Sequence, residues 1–149
     1  MTATNHALTG AVIALAVKQP VLVVPLAIAS HFVLDSMPHF GGLPVTSRKF
    51  LFVLAGDTGI AAGLLSSMVL LQPPLWWVAV LGAVCAMAPD LMWFPNFLRA
   101  VTGRPTKKPD SITKWHKKIQ RYERPQNMPF EGVYFALMLP LLFLLLFNV

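Results

Sequence analysis

The sequence predicts an all-α, polytopic membrane protein: about five hydrophobic helices forming one membrane-embedded domain over residues 1–149, with a basic cytoplasmic loop at 95–128. Three observations carry this expectation. The 149 residues are 56% hydrophobic and only 12% charged, with a mean hydropathy of +0.62, whereas soluble domains are about 25% charged. Apolar runs occupy 7–17, 20–34, 50–71, 75–94 and 129–147, and the last three approach the ~20 residues needed to cross a hydrocarbon core. Nine of the twelve basic residues, Arg99, Arg104, Lys107, Lys108, Lys114, Lys117, Lys118, Arg121 and Arg124, fall in one polar connection.

The first helix is expected over about 6–18, roughly 20 Å long and therefore a partial span. Ala27-Ile28-Ala29 resembles a signal-peptide cleavage site, but Met1 to Gly10 holds no Lys or Arg, so no cleaved leader is expected. Lys18-Gln19-Pro20 combines a charge, an amide and a helix-stopping proline, which splits the N-terminal apolar region into a hairpin. The second helix follows over 20–36, with Pro25 able to kink it. The rival is one bent helix of about 30 residues, with His6 and His31 on opposite sides of the membrane.

Pro38 ends the second helix and Gly41-Gly42-Leu43-Pro44 forms a loop. A third helix runs from about Arg48 to Leu71, where Pro73-Pro74 stops it, and a fourth covers about Leu75 to Phe94. Gly56, Gly59 and Gly63 share a stripe of the third helix and read as a packing surface against another helix. Cys85 is the single cysteine, which rules out a disulfide or a Cys-based metal framework within one chain and suggests a packed apolar thiol. Trp76, Trp77, Trp93 and Trp115 read as interface anchors or packing residues. The fifth helix closes the chain over about 129–147.

Arg48-Lys49 and the 95–128 connection share a membrane side if the third and fourth helices pair antiparallel; the other side has Lys18 alone. The positive-inside tendency then puts the N-terminus and basic loop in the cytoplasm and the C-terminus outside. Basic residues beside Trp115 and Tyr122 suit anionic lipid headgroups better than nucleic acid, for which no recognisable fold is present. Oligomeric state is not readable from the sequence.

This connectivity gathers polar residues at one end. The stretch HFVLDSMPH puts His31 and Asp35 four residues apart on one helix face, with His39 after the Pro38 turn. His6 begins the first helix at the same level, Asp57 lies two turns into the third, Asp90 ends the fourth, Glu131 begins the fifth, and His116 lies in the basic loop. Ionisable groups within membrane segments cost ~2.5–3.5 kcal/mol each, so they need partners. A shared cation supplies charge balance; a proton or ion pathway and internal ion pairing are the alternatives. Imidazoles and carboxylates without thiolate suit zinc or manganese, as one or two ions. Such a site lowers the pKa of a bound water and polarises a phosphoryl or carbonyl oxygen, the chemistry of metal-assisted hydrolysis. Asp57 or Asp90 can serve as ligand or general base.

The motifs NHALTGA, HFVLDSMPH, GDTG and APDLMW, spread over most of the chain, resemble the LexA-regulated, YdjM-like family of small inner-membrane metal-dependent hydrolases. More distantly the chain is similar to the all-helical zinc-dependent phospholipase C and P1 nuclease group. The resemblance implies a bacterial inner-membrane location and a metal site built from His6, His31, Asp35 and Asp90; the connectivity itself adds His39, Asp57 and His116 as lesser candidates. His116 is followed four residues on by Gln120, where the soluble group has an acid, so the resemblance does not extend to a complete trinuclear site. The expected function is hydrolysis of a phosphoester, lipid-linked or otherwise anionic, at the cytoplasmic face. The alternative is a cation or proton transporter using the same cluster.

Overall fold

The computed structural model describes residues 1–148 and is all-helical there, with no strand. The elements are α1 (Ala3–Val17), α2 (Pro20–Asp35), α3 (Arg48–Leu71), α4 (Trp76–Met87), α5 (Phe94–Val101), α6 (Ser111–Ile119) and α7 (Met128–Phe147). Short 3-10 turns at Ala88–Met92 and Pro125–Asn127 lead into α5 and α7. Each boundary has a local cause. Lys18 is left-handed at φ 61° and Pro20 opens α2, so the N-terminal region is a hairpin and not one bent helix. Ser47 accepts from the Phe50 amide at 3.2 Å and starts α3. Left-handed Gln72 and Leu75 flank the Pro73-Pro74 reversal into α4.

α1 lies at the centre, packed against α2, α3, α4 and α7. Its residues Thr4 to Ala11, with Ala14 and Leu15, are all buried. Ala14, Val23 and Val78 pack together at one end, near the α1–α2 and α3–α4 reversals. At the other end the first turn of α1 meets Asp35 of α2, Asp57 of α3 and Glu131 of α7. α1, α2, α3, α4 and α7 therefore run alternately away from and towards one polar end.

α1 and α4 approach through small residues. A Cβ on Gly10 would stand 2.1 Å from the Gly82 carbonyl oxygen, and one on Gly82 would stand 2.2 Å from the Gly10 oxygen. Ala14 and Ala86, each four residues on, complete the two small faces. Gly56, Gly59 and Gly63 do not pack as expected: nothing comes within 4 Å of a Cβ at any of them. α3 touches its neighbours along a different face, through Ala61 and Met68.

Two helices, Arg48–Leu71 and Pro125–Phe147, are long and apolar enough to cross a membrane, and α4 with α5 makes a third if that pair, bent by 53°, counts as one span. α1 and α2, at 15 and 16 residues, are apolar but shorter, so two or three spans are shown where the sequence predicts about five. The surface suits a lipid solvent: Val21, Phe52 and Leu70 are each more than 80% exposed, a pattern that would be an association liability in water. The expected fourth helix to Phe94 stops at Met87, where the turn containing Pro89 redirects the chain. The polar 95–128 connection holds two helices. α5 is anchored by Trp93 and Phe97, which meet the Phe50 ring at 6.3 and 6.2 Å, and α6 is capped by Asp110, whose carboxylate accepts from the Thr113 amide at 2.7 Å.

Candidate metal centre

The polar end is organised around the N-terminus of α1. A helix leaves its first amides without internal partners and carries partial positive charge there. Both demands are met from other helices. Asp57 accepts from the Ala3 amide at 2.7 Å and the Thr4 amide at 3.0 Å, while its backbone carbonyl accepts from the Thr4 hydroxyl at 3.0 Å. Glu131 Oε2 accepts from the Thr2 amide at 3.2 Å, the Thr2 hydroxyl at 3.0 Å and Asn5 Nδ2 at 2.7 Å. Its other oxygen accepts from the Phe40 amide at 3.0 Å, tying down the loop after α2. Two carboxylates from α3 and α7 thus fix α1 and set the register of His6.

His31, Asp35, Asp90 and His116 each offer one donor atom, all within 4.8 Å of one another, a set that can hold a metal ion. His31 and Asp35 share a face of α2, with Nε2 3.2 Å from Oδ2. His116 Nε2, delivered by α6, lies 2.8 Å from the same Oδ2 and 3.2 Å from His31 Nε2. Asp90 Oδ1, on the 3-10 turn after α4, is 3.7 Å from His31 Nε2. Tetrahedral zinc with bonds of about 2.0–2.1 Å separates its ligand atoms by roughly 3.3 Å; the spacings of 2.8 to 3.7 Å around His31 and Asp35 bracket that value, within a set bounded at 4.8 Å.

The hydrogen bonding fits a cation. His31 Nδ1 lies 2.8 Å from the Ala86 carbonyl oxygen, which only accepts, so this nitrogen carries a proton and Nε2 is the atom turned inward. Nε2 meets His116 Nε2 and two carboxylates. Two carboxylates and two imidazoles facing one point can share a divalent ion, while the Met1 ammonium already balances part of the Asp35 charge. Asp35 is fully buried and is the hub: His6 Nε2 at 3.1 Å and the Met1 nitrogen at 2.5 Å approach Oδ1, while Gln120 Nε2 donates to Oδ2 at 2.9 Å.

The remaining sequence candidates stand nearby in other roles. His6 stacks on His31, ring centroids 4.1 Å apart, and bonds Asp35, but is not one of the four clustered residues. Asp57 serves the α1 amides, not the cluster. His39 is buried after α2, its Nδ1 donating to the Met37 carbonyl at 2.8 Å and its own carbonyl accepting from the Arg124 amide at 3.0 Å. Burial pushes the His39 imidazole below its ordinary pKa. His116, a lesser candidate by sequence, belongs to the cluster. The Glu131 cap and the Gln120 contact were missed, although Gln120 is one helical turn from His116 and so on the same face of α6.

A cleft of about 60 Å³ reaches the cluster between the turn after α4 and α6, lined by Pro89, Asp90, Trp93, Thr113, His116 and Lys117 among others. The Asp90 side chain is 25% exposed there while that of Asp35 is closed off. The cluster thus has an inner carboxylate held by five polar neighbours and an outer one facing an opening. Among the described residues this is the one such group. No protein-family profile, curated protein or solved structure matches the chain, so the family resemblance rests on the quoted motifs alone.

Proposed function

We propose that the chain is a membrane-bound metal-dependent hydrolase that cleaves a phosphoester at the polar end of its bundle. The supporting observation is the convergence of His31, Asp35, Asp90 and His116 beside a cleft carrying Lys117. A divalent ion, zinc or manganese, supplies Lewis acidity and a nucleophile at neutral pH. The chain's own residues do the rest. Asp35 and the two imidazoles form the closed wall, with the His31 ring held by the Ala86 carbonyl. Asp90, on the open wall, is positioned to meet the reacting groups and to accept a proton from water. Lys117 adds positive charge for a phosphate.

On this reading the polar end faces the cytoplasm of a bacterial inner membrane, because eleven basic residues flank it and Lys18 alone marks the other end. A transport reading would need polar groups through the bundle. Beyond the cluster the packed interior is Leu15, Met68, Ala79, Leu142 and Leu146. The test is turnover of generic phosphodiesters and phospholipids by purified protein with added zinc or manganese, alongside cation flux in proteoliposomes. Metal-dependent turnover lost in Asp90→Asn is the expected result. Flux without turnover of any ester would overturn the proposal.

A further inference from the structure

α5 departs from the α4 axis by 53° at the polar end and has three distinct faces. Phe97 and the preceding Trp93 pack on Phe50 of α3. Asn96 and Arg99 are used by the chain's own following loop: Asn96 exchanges bonds with Lys107 at 2.9 and 3.1 Å, and Arg99 donates to the Pro105 carbonyl at 3.1 Å. The third face is apolar and bare, with Phe94, Leu98 and Val101 at 46%, 45% and 42% exposure, extended by Leu91 at 68%. α6 repeats the pattern. Its Ile112 and Trp115 are 60% and 51% exposed, Trp115 also meeting the Phe32 ring of α2 at 5.0 Å, while Lys114, Lys117 and Lys118 lie away from that stripe.

Bare apolar stripes flanked by cations belong neither in water nor in the hydrocarbon core. They fit the boundary between headgroups and acyl chains, where apolar side chains enter the lipid and each Lys or Arg is attracted to an anionic surface. The cleft to the metal cluster is walled by the root of α5, Trp93, and by Thr113, His116 and Lys117 of α6. The cleft is therefore walled by the same two elements that carry the stripes, so their depth in a membrane sets its depth as well.

We infer that α5 and α6 lie in the headgroup layer of an anionic leaflet and hold the cleft mouth among the headgroups, so that its phosphoester is an anionic phospholipid of the surrounding bilayer. The substrate half of this inference rests on the hydrolase reading; the lipid contact does not. Charge complementarity commits the surface to anionic lipid, since nine basic residues and two acids, Asp110 and Glu123, lie between 95 and 128.

Two measurements on the full chain in vesicles decide it. Leu98→Cys and Ile112→Cys, each in a Cys85→Ala background, carry spin labels whose collision with lipid-soluble oxygen and aqueous nickel reports depth. Both labels should lie at the headgroup boundary in phosphatidylglycerol-containing vesicles and become more exposed to nickel in pure phosphatidylcholine. Depth characteristic of bulk water in both membranes overturns the inference. In parallel, the Leu98→Glu/Val101→Glu variant, with metal content confirming an intact cluster, should turn over vesicle-borne phosphatidylglycerol about tenfold more slowly while a short-chain soluble analogue is unaffected. Equal loss on both substrates, or turnover of soluble diesters only, rejects the lipid substrate and leaves the hydrolase standing. Interfacial depth without turnover of any ester rejects the hydrolase and its lipid substrate and retains the lipid contact.

Discussion

Asp57 and Asp90 carry the same side chain, and the sequence leaves either able to act as ligand or general base, but their surroundings divide them. Asp57 spends both oxygens on the first amides of α1; Asp90 faces the clustered imidazoles and the cleft. Replacing Asp57 with Ala strands part-buried donors and removes charge from a helix N-terminus, and should cost about 1–3 kcal/mol of stability, read by thermal unfolding in detergent, with bound metal retained. Asp90→Asn should reverse this, weakening metal binding with little loss of fold. His39 gives a pH signature. Its folded pKa lies below the ordinary 6.5, so the folded state prefers the neutral ring. Stability from this group is present above pH 6.5 and lost as pH falls towards the folded value. The acid-induced drop in unfolding temperature should therefore be smaller in His39→Gln than in the parent, and an identical drop would remove His39 from the account.

At the scale of elements, the α1–α4 crossing gives the sharpest test. Gly10→Val forces branched carbons into the Gly82 backbone, at a cost of about 1–3 kcal/mol or more. Gly59→Ala fills open space in a helix interior and should stabilise by about 0.5–1 kcal/mol. Comparing the two unfolding temperatures checks which glycines pack; a destabilising Gly59→Ala would restore the α3 stripe as an internal interface. The sequence carried both patterns, Gly10 to Ala14 and Gly82 to Ala86 as well as Gly56 to Gly63, and spacing alone does not say which small face meets a partner. Helix breaks were readable because proline and a change of polarity coincide at Lys18-Gln19-Pro20 and Pro73-Pro74. α5 and α6 were not, because helices of eight and nine residues in a basic segment depend on the Phe50 contact and the Asp110 cap, which no hydropathy window registers. The convergence of His31, Asp35, Asp90 and His116 was largely readable, since alternating helices must return their ends to one layer. That His116 joins the four while His6 stacks behind them depends on side-chain directions that periodicity leaves open.

The whole molecule is a bundle whose central helix is short, buried over most of its length and polar at one end, packed among helices with apolar outer faces. This arrangement lets a charged cluster exist at the end of an otherwise apolar body, because a metal ion, capped amides and basic headgroup contacts can offset its charges there. Five alternating passes, as proposed, would put the two chain ends on opposite sides, so a reporter joined after Val149 is predicted to be active outside the cytoplasm; cytoplasmic activity would contradict that topology. The measurement bearing most directly on the account is metal analysis of protein purified without a metal-affinity tag, beside Asp57→Asn and the His31→Ala/His116→Ala pair. Stoichiometric zinc or manganese is predicted in the parent and in Asp57→Asn, with loss from the double variant. A parent free of transition metal and not stabilised by added zinc or manganese would contradict the metal centre and the hydrolase built on it.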